Sequence, residues 1–235
     1  MKVNTAHVRA ARRKLRQPGR SADPRSVEPR RTPQQQRSRK RVDGILEASR
    51  RLIGRHGSDA VSVRDIAAAA RVPIASVYQY FPDKTSILRS LMHGYLETLR
   101  GRLVGVFGRV ERPEQLEAAT LEAFAIFRGM FVEAPALEAI WSGAQANPVL
   151  RELDAEDTRI NAEFVSSVLA RVLPDIDPLE LRSAALFAVN MAGATVRLAL
   201  SCDAPTGERL LEEMNQLARL RLADFVARQR AAELG

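Results

Sequence analysis

The chain is short of cysteine, histidine and aromatic residues, and each shortage closes off a class of protein. A single cysteine, Cys202, in 235 residues permits no intramolecular disulfide and no thiolate metal cluster, and is compatible with a reducing cytosol. The three histidines, His7, His56 and His93, belong to no His/Cys/carboxylate set with metal-ligand spacing. No glycine-rich phosphate loop is present and no nucleophile sits in a recognised elbow, so no catalytic residue, metal or cofactor is expected and an enzyme is disfavoured. Aromatics at 5% fit an all-β fold poorly. No stretch approaches 18 uninterrupted apolar residues and the N-terminus lacks an apolar signal, so the expectation is a cytoplasmic protein with no membrane partner. Glu152, Asp154, Glu156 and Asp157 read as a solvated acidic helix face rather than a catalytic dyad.

What is present is enough apolar content for a sizeable core, 46% hydrophobic against 27% charged. The formal charge of +8 is unevenly spread: residues 1–41 carry +12, residues 42–100 carry +2 and residues 101–235 carry −6. Such polarity suggests an N-terminal end that meets a polyanion and a C-terminal end that does not. Residues 1–36 combine clustered arginines with Pro18, Pro24, Pro29 and Pro33 and little apolar content, and read as a disordered basic arm.

From about Arg37 a helical rhythm begins, with Val42, Ile45, Leu46, Ser49, Leu52 and Ile53 on one face and Gly57 as a stop. Ser62 and Asp65 form a capping-box pair opening a second helix to Ala70. Pro73 opens a short third helix to Phe81, and Asp83 opens a fourth. Further helices are predicted near 83–108, 113–132, 135–146, 148–172, 178–201 and 205–231, several bounded by prolines. The fold class is therefore all-α, with a three-helix helix-turn-helix domain over 37–83 and a larger helical domain over 84–235.

Residues 61–84, VSVRDIAAAARVPIASVYQYFPDK, closely resemble the DNA-binding segment of the tetracycline-repressor (TetR) family of bacterial transcription regulators, without a gap over some two dozen positions. Val77 and Phe81, with Ile66 and Val72, can form the small core that seats the third helix. The resemblance assigns Arg64, Ile74, Ala75 and Gln79 to positions that approach bases, and Ser62, Ser76, Tyr78, Tyr80 and Lys84 to positions that hold phosphates. Arg37 joins them from the first helix. Where the family usually has glycine in the turn, this chain has Arg71; a left-handed conformation there costs about 1–2 kcal/mol, which a phosphate contact by the guanidinium can offset. Ile74 and Ala75 can only pack on a thymine methyl, and Gln79 alone suits bidentate reading of adenine. Affinity is accordingly expected to lean on phosphates and on the arm, part of which can enter the minor groove.

The resemblance further implies that the C-terminal domain binds a small-molecule effector and pairs two subunits. The candidate ligand residues are Phe124, Phe127, Trp141, Phe164, Phe187 and Met191, with Asn161, Asn190 and Thr195 as polar groups nearby. A homodimer is expected through about 178–231, the small residues of the first helix (Ala185, Ala188, Ala192, Ala199, with Leu181 and Thr195) admitting Leu210, Met214, Leu217, Leu220 and Phe225 of the second. The function so implied is a repressor that binds a palindromic operator in double-stranded DNA as a dimer and is released by a small molecule. An activator of the same fold and a sequence-neutral DNA architectural protein are the alternatives.

Overall fold

The computed structural model describes residues 33–144 and 146–234. The basic arm, as far as residue 32, lies outside the described residues; its last part does not, since Pro33 already opens α1, Pro33–His56. The helix thus begins four residues before Arg37, on a proline whose missing N–H the first turn does not need and on glutamines that favour helix. The chain divides into two units, Met1–Arg39 and Lys40–Gly235.

Within the second unit, α1 buries Ile45, Ala48, Ser49 and Ile53, and the Ser49 hydroxyl is satisfied by donating to the Ile45 carbonyl at 2.8 Å. Gly57, at φ 81°, ends the helix as expected. The capping box also forms: Asp65 N–H donates to Ser62 Oγ at 3.2 Å, and Ser62 N–H donates to Asp65 Oδ2 at 2.9 Å, opening α2, Val63–Ala69. Helix α2 closes in a Schellman arrangement, with Val72 N–H on the Ala67 carbonyl at 3.0 Å and Arg71 N–H on the Ala68 carbonyl at 3.1 Å. Arg71 takes the left-handed position of that motif at φ 56°, the one positive φ outside glycine among the described residues.

Helix α3 is Ile74–Tyr78, shorter than the predicted 73–81. Pro73 stands as its cap, extended at ψ 142°, and the final turn to Phe81 is held by Tyr80 and Phe81 N–H groups that share the Val77 carbonyl. Val77, Phe81 and Ile66 are buried and Val72 packs on them, the small core anticipated from the sequence. Helix α4, Lys84–Phe107, is capped by Asp83, whose carboxylate accepts from the Ser86 N–H and hydroxyl at 2.7 Å each and is thereby held below the usual aspartate range.

The remaining helices are α5 (Leu116–Glu133), entered through a 3-10 turn at Pro113–Gln115, then α6 (Pro135–Ala144), α7 (Pro148–Val172), α8 (Pro178–Leu200) and α9 (Ala204–Glu233). Proline begins α6, α7 and α8, and Asn147, Asp177 and Asp203 cap α7, α8 and α9 through their side chains. The long helix α4 packs on α5, α6 and α7, α8 lies between α7 and α9, and α9 returns to α5. No strand occurs among the described residues. The architecture is all-α, with an N-terminal DNA-binding domain and a larger C-terminal helical domain.

Candidate nucleic-acid interface and ligand cavity

On α3, Ile74 and Tyr78 are 40% and 49% exposed, and Ala75 and Gln79 are exposed as well. These four are exposed while Val77 on the same helix is buried. An exposed isoleucine and tyrosine on a helix braced from behind give the helix a face shaped for a groove. Arg64 on α2 and Arg71 in the turn are exposed, as is Arg37 on α1. Ser76 is half-buried in the first turn of α3. Tyr80 is half-buried and packed on the core, and Lys84 extends its ammonium to the Asp59 carbonyl at 3.4 Å. The Ser62 hydroxyl is engaged by the Asp65 carboxylate at 2.6 Å, and that hydrogen bond, with the Ser62 N–H, holds Asp65 below the usual range. The residues assigned to base contacts are thus all exposed, while the Ser62 hydroxyl is hydrogen-bonded within the domain and Tyr80 packs on its core.

Between α4, α5, α6, α7, α8 and α9 lies a cavity, part of it open to solvent. Of the six ligand candidates it brings together Phe124, Phe127 and Trp141, an aromatic wall in which Phe127 and Trp141 meet edge to face at 6.4 Å. Phe164, Phe187 and Met191 are not in the lining: Phe164 stacks edge-on against Phe107, and Phe187 is 64% exposed. The helical period explains the difference, since Ala184, Ala185, Ala188 and Ala192 of α8 face the cavity and Phe187 falls on the opposite side. Asn161 and Asn190 line the cavity, while Thr195 faces a smaller neighbouring pocket that shares Phe124 and Phe127.

Ala184, Ala185, Ala188 and Ala192 of α8 line the cavity, and Phe225 and Met214 of α9 are buried within the subunit. Large apolar residues cover the outer faces instead: Leu179, Leu186, Phe187 and Leu198 on α8, Leu217 and Leu220 on α9, all exposed. This two-sided apolar character makes α8 long and apolar enough to cross a membrane by length and composition, with a mean hydropathy of 1.4, although no single uninterrupted run announces it. Glu180 ties α8 to α9 by accepting from Arg221 at 2.7 Å and from Arg228 at 2.7 and 2.8 Å, which lowers its carboxyl to about 2.

The acidic cluster on α7 is not the solvated face expected. Glu152 and Glu156 are exposed, but Asp157 is 5% exposed and both Asp154 and Asp157 line the cavity with Thr158 and Asn161. Their i, i+3, i+4, i+7 spacing is the signal that could have placed them on one inward stripe. Asp157 is answered by Arg100 of α4 and by the Asn161 amide at 2.7 Å, yet burial still raises its carboxyl above the usual range. Burial raises Asp154 as well, opposed by the charge of Arg197 and by the Trp141 indole.

Helix α6 touches both regions. Trp141 sits on the cavity wall, while the start of the same helix lies so close to α1 that a Cβ at Gly54 would come within 3.2 Å of the Ala136 nitrogen. Near its other end, a Cβ at Gly143 would come within 2.9 Å of the Ser58 hydroxyl, and Asn147 donates to Thr85 Oγ1 at 3.3 Å.

Residues 45–91 match the model of bacterial regulatory proteins of the tetR family, and residues 114–226 match that of the tetracyclin repressor-like C-terminal domain. The chain belongs to the TetR family of transcriptional regulators. It is similar to a TetR-family regulator from Streptomyces coelicolor at 28% identity and a TM-score of 0.60, over 79% of this chain and 99% of that one. A transcriptional regulator from Rhodococcus sp. Rha1 shares the fold at 20% identity and a TM-score of 0.62, over 78% and 96%. The fatty acid degradation regulator FadR from Bacillus halodurans shares it at 17% and 0.59, over 76% and 94%. No curated protein shows significant sequence similarity to the chain. As a TetR regulator the protein carries a DNA-binding helix-turn-helix, α2 and α3, and a C-terminal ligand-binding domain, and the family binds DNA and typically dimerises.

Proposed function

We propose that the protein is a repressor that binds a palindromic operator as a homodimer and lets go of it when a small molecule enters the cavity. The observation that carries this reading is the double contact of α6, which places Trp141 on the cavity wall and the helix backbone against Gly54 of α1. A ligand that shifts α6 presses on the helix that braces α2 and α3, so occupancy and operator affinity are coupled. Helix α3 spans only five residues, enough for one half-site. The exposed leucines and Phe187 on α8 and α9 are an apolar surface suited to a second copy, which supplies the other half-site. Arg37, Ser62, Arg71, Ser76, Tyr78, Tyr80 and Lys84 serve phosphates, and Arg64, Ile74, Ala75 and Gln79 serve bases. Such a protein works in the cytoplasm, where the chromosome is.

Sequencing the genomic fragments retained by the full-length protein, followed by a reporter with the enriched fragment placed across a promoter, tests the proposal. An inverted repeat and lower reporter output are expected. Equal retention of unrelated duplexes overturns operator recognition, and raised output overturns repression.

A further inference from the structure

The polar side chains of the cavity lining come mainly from the α7 stripe, with others from α5, α6, α8 and α9. Two of the charged ones are already in use. Asp157 is held by Arg100 and Asn161, and Arg221 is held by Glu180 and Asp224 and stacked 4.2 Å from the Phe225 ring centroid. Two buried atoms are not. Asn161 Oδ1, on a residue 3% exposed, has no donor among the described residues. Trp141 Nε1, on a residue 5% exposed, has no acceptor at hydrogen-bond geometry among the described residues, although the indole is near enough to Asp154 to favour its carboxylate. One is an acceptor and the other a donor, and both residues line the same space.

The ionic groups of the lining are Asp154, Asp157, Arg197 and Arg221, two of each sign, so their charges cancel. A charged headgroup entering here surrenders its hydration without meeting a net opposite charge. A headgroup that only accepts leaves Asn161 Oδ1 buried and unpaired, and one with no polar atom leaves the indole N–H unpaired too. Resting on the reading of this cavity as the regulator's ligand site, we infer that the effector is an uncharged, mainly apolar molecule with one polar end that both donates and accepts hydrogen bonds, as a hydroxyl or primary amide does. The body lies along the aromatic wall and the alanine face of α8. The head donates to Asn161 Oδ1 and accepts from Trp141 Nε1.

Trp141 is the only tryptophan in the chain, so intrinsic fluorescence reports the cavity without labelling. Four probes with one body and different heads separate the possibilities: decan-1-ol, decyl methyl ether, decanoate and decylammonium, each repeated with an adamantylmethyl body. In full-length protein the alcohols are expected to bind at least tenfold more tightly than the ether and than either ion. Asn161→Leu should reduce the alcohol-to-ether ratio to below about threefold while both still bind; where that variant does not fold, the ranking on the unaltered protein decides. Equal or tighter binding of decanoate or decylammonium overturns the inference but leaves the cavity as the ligand site. A Trp141 signal unmoved by every probe in both series overturns the inference and the ligand-release reading together.

Discussion

Arg71 holds a backbone conformation that favours glycine, and its side chain contributes nothing to the buried core, since it is exposed. A residue kept in a costly conformation needs a return elsewhere, and on this surface the available return is a phosphate. Arg71→Gly is therefore expected to stabilise the free protein by about 1 kcal/mol, measurable by urea denaturation. The same substitution should weaken operator binding and lower the slope of log affinity against log salt by about 0.9 for each phosphate no longer neutralised. Unchanged affinity with a raised stability would mean that Arg71 does not reach the DNA. At this scale the sequence is most legible where the chemistry is local. The Ser62–Asp65 box, the stop at Gly57 and the strained turn at Arg71 each depend on a handful of neighbouring residues, and each forms. The inward placement of Asp154 and Asp157 shows in the sequence only as a helical spacing, while the partner that answers Asp157, Arg100, lies 57 residues away. Asp65 already uses the Ser62 hydroxyl, a competition that a motif alone does not display.

Among the elements, α6 is the one whose two sides have different tasks. It buries Leu137, Ile140 and Ala144 completely or nearly so, which makes it rigid enough to transmit a displacement. Its approach to α1 is possible because Gly54 has no side chain. Gly54→Leu should push α6 away from α1 and mimic occupancy of the cavity, lowering operator affinity at least tenfold as followed by anisotropy of labelled DNA. Circular dichroism should still report the helical content of the unaltered chain, and Trp141 should still respond to a cavity ligand. Retention of full affinity by a folded variant would mean that α6 does not couple the two regions. The positions of α5 to α9 are legible because Pro113, Pro135, Pro148, Pro178 and Pro205 punctuate the chain close to where helices begin. The inward face of α8 is not. Size alone assigns large residues to the cavity and small ones to the partner, yet Ala185, Ala188 and Ala192 face inward and Phe187 outward. Both faces of α8 are apolar, so periodicity defines two candidate faces and packing alone assigns them.

For the whole molecule, the charge gradient from +12 over residues 1–41 to −6 over residues 101–235 sets which end meets DNA. In the proposed dimer the acidic body is repelled by the duplex, so both copies present α3 to the same side of the DNA. If two copies pair through the outward leucines of α8 and α9, as proposed, each brings a short reading helix, which entails two half-sites related by a two-fold axis. The family is legible over residues 61–84 because the reading head is a local motif. The proposed pairing region is legible as the stretch 178–231, but which faces of α8 and α9 the subunit leaves uncovered depends on its packing. Hydroxyl-radical footprinting of the full-length protein on the enriched operator tests this arrangement. Two protected segments per strand, symmetric about one centre and spaced by about 34 Å or a multiple of it, are expected. A single protected segment, or even protection along the whole duplex, would contradict a two-fold reader.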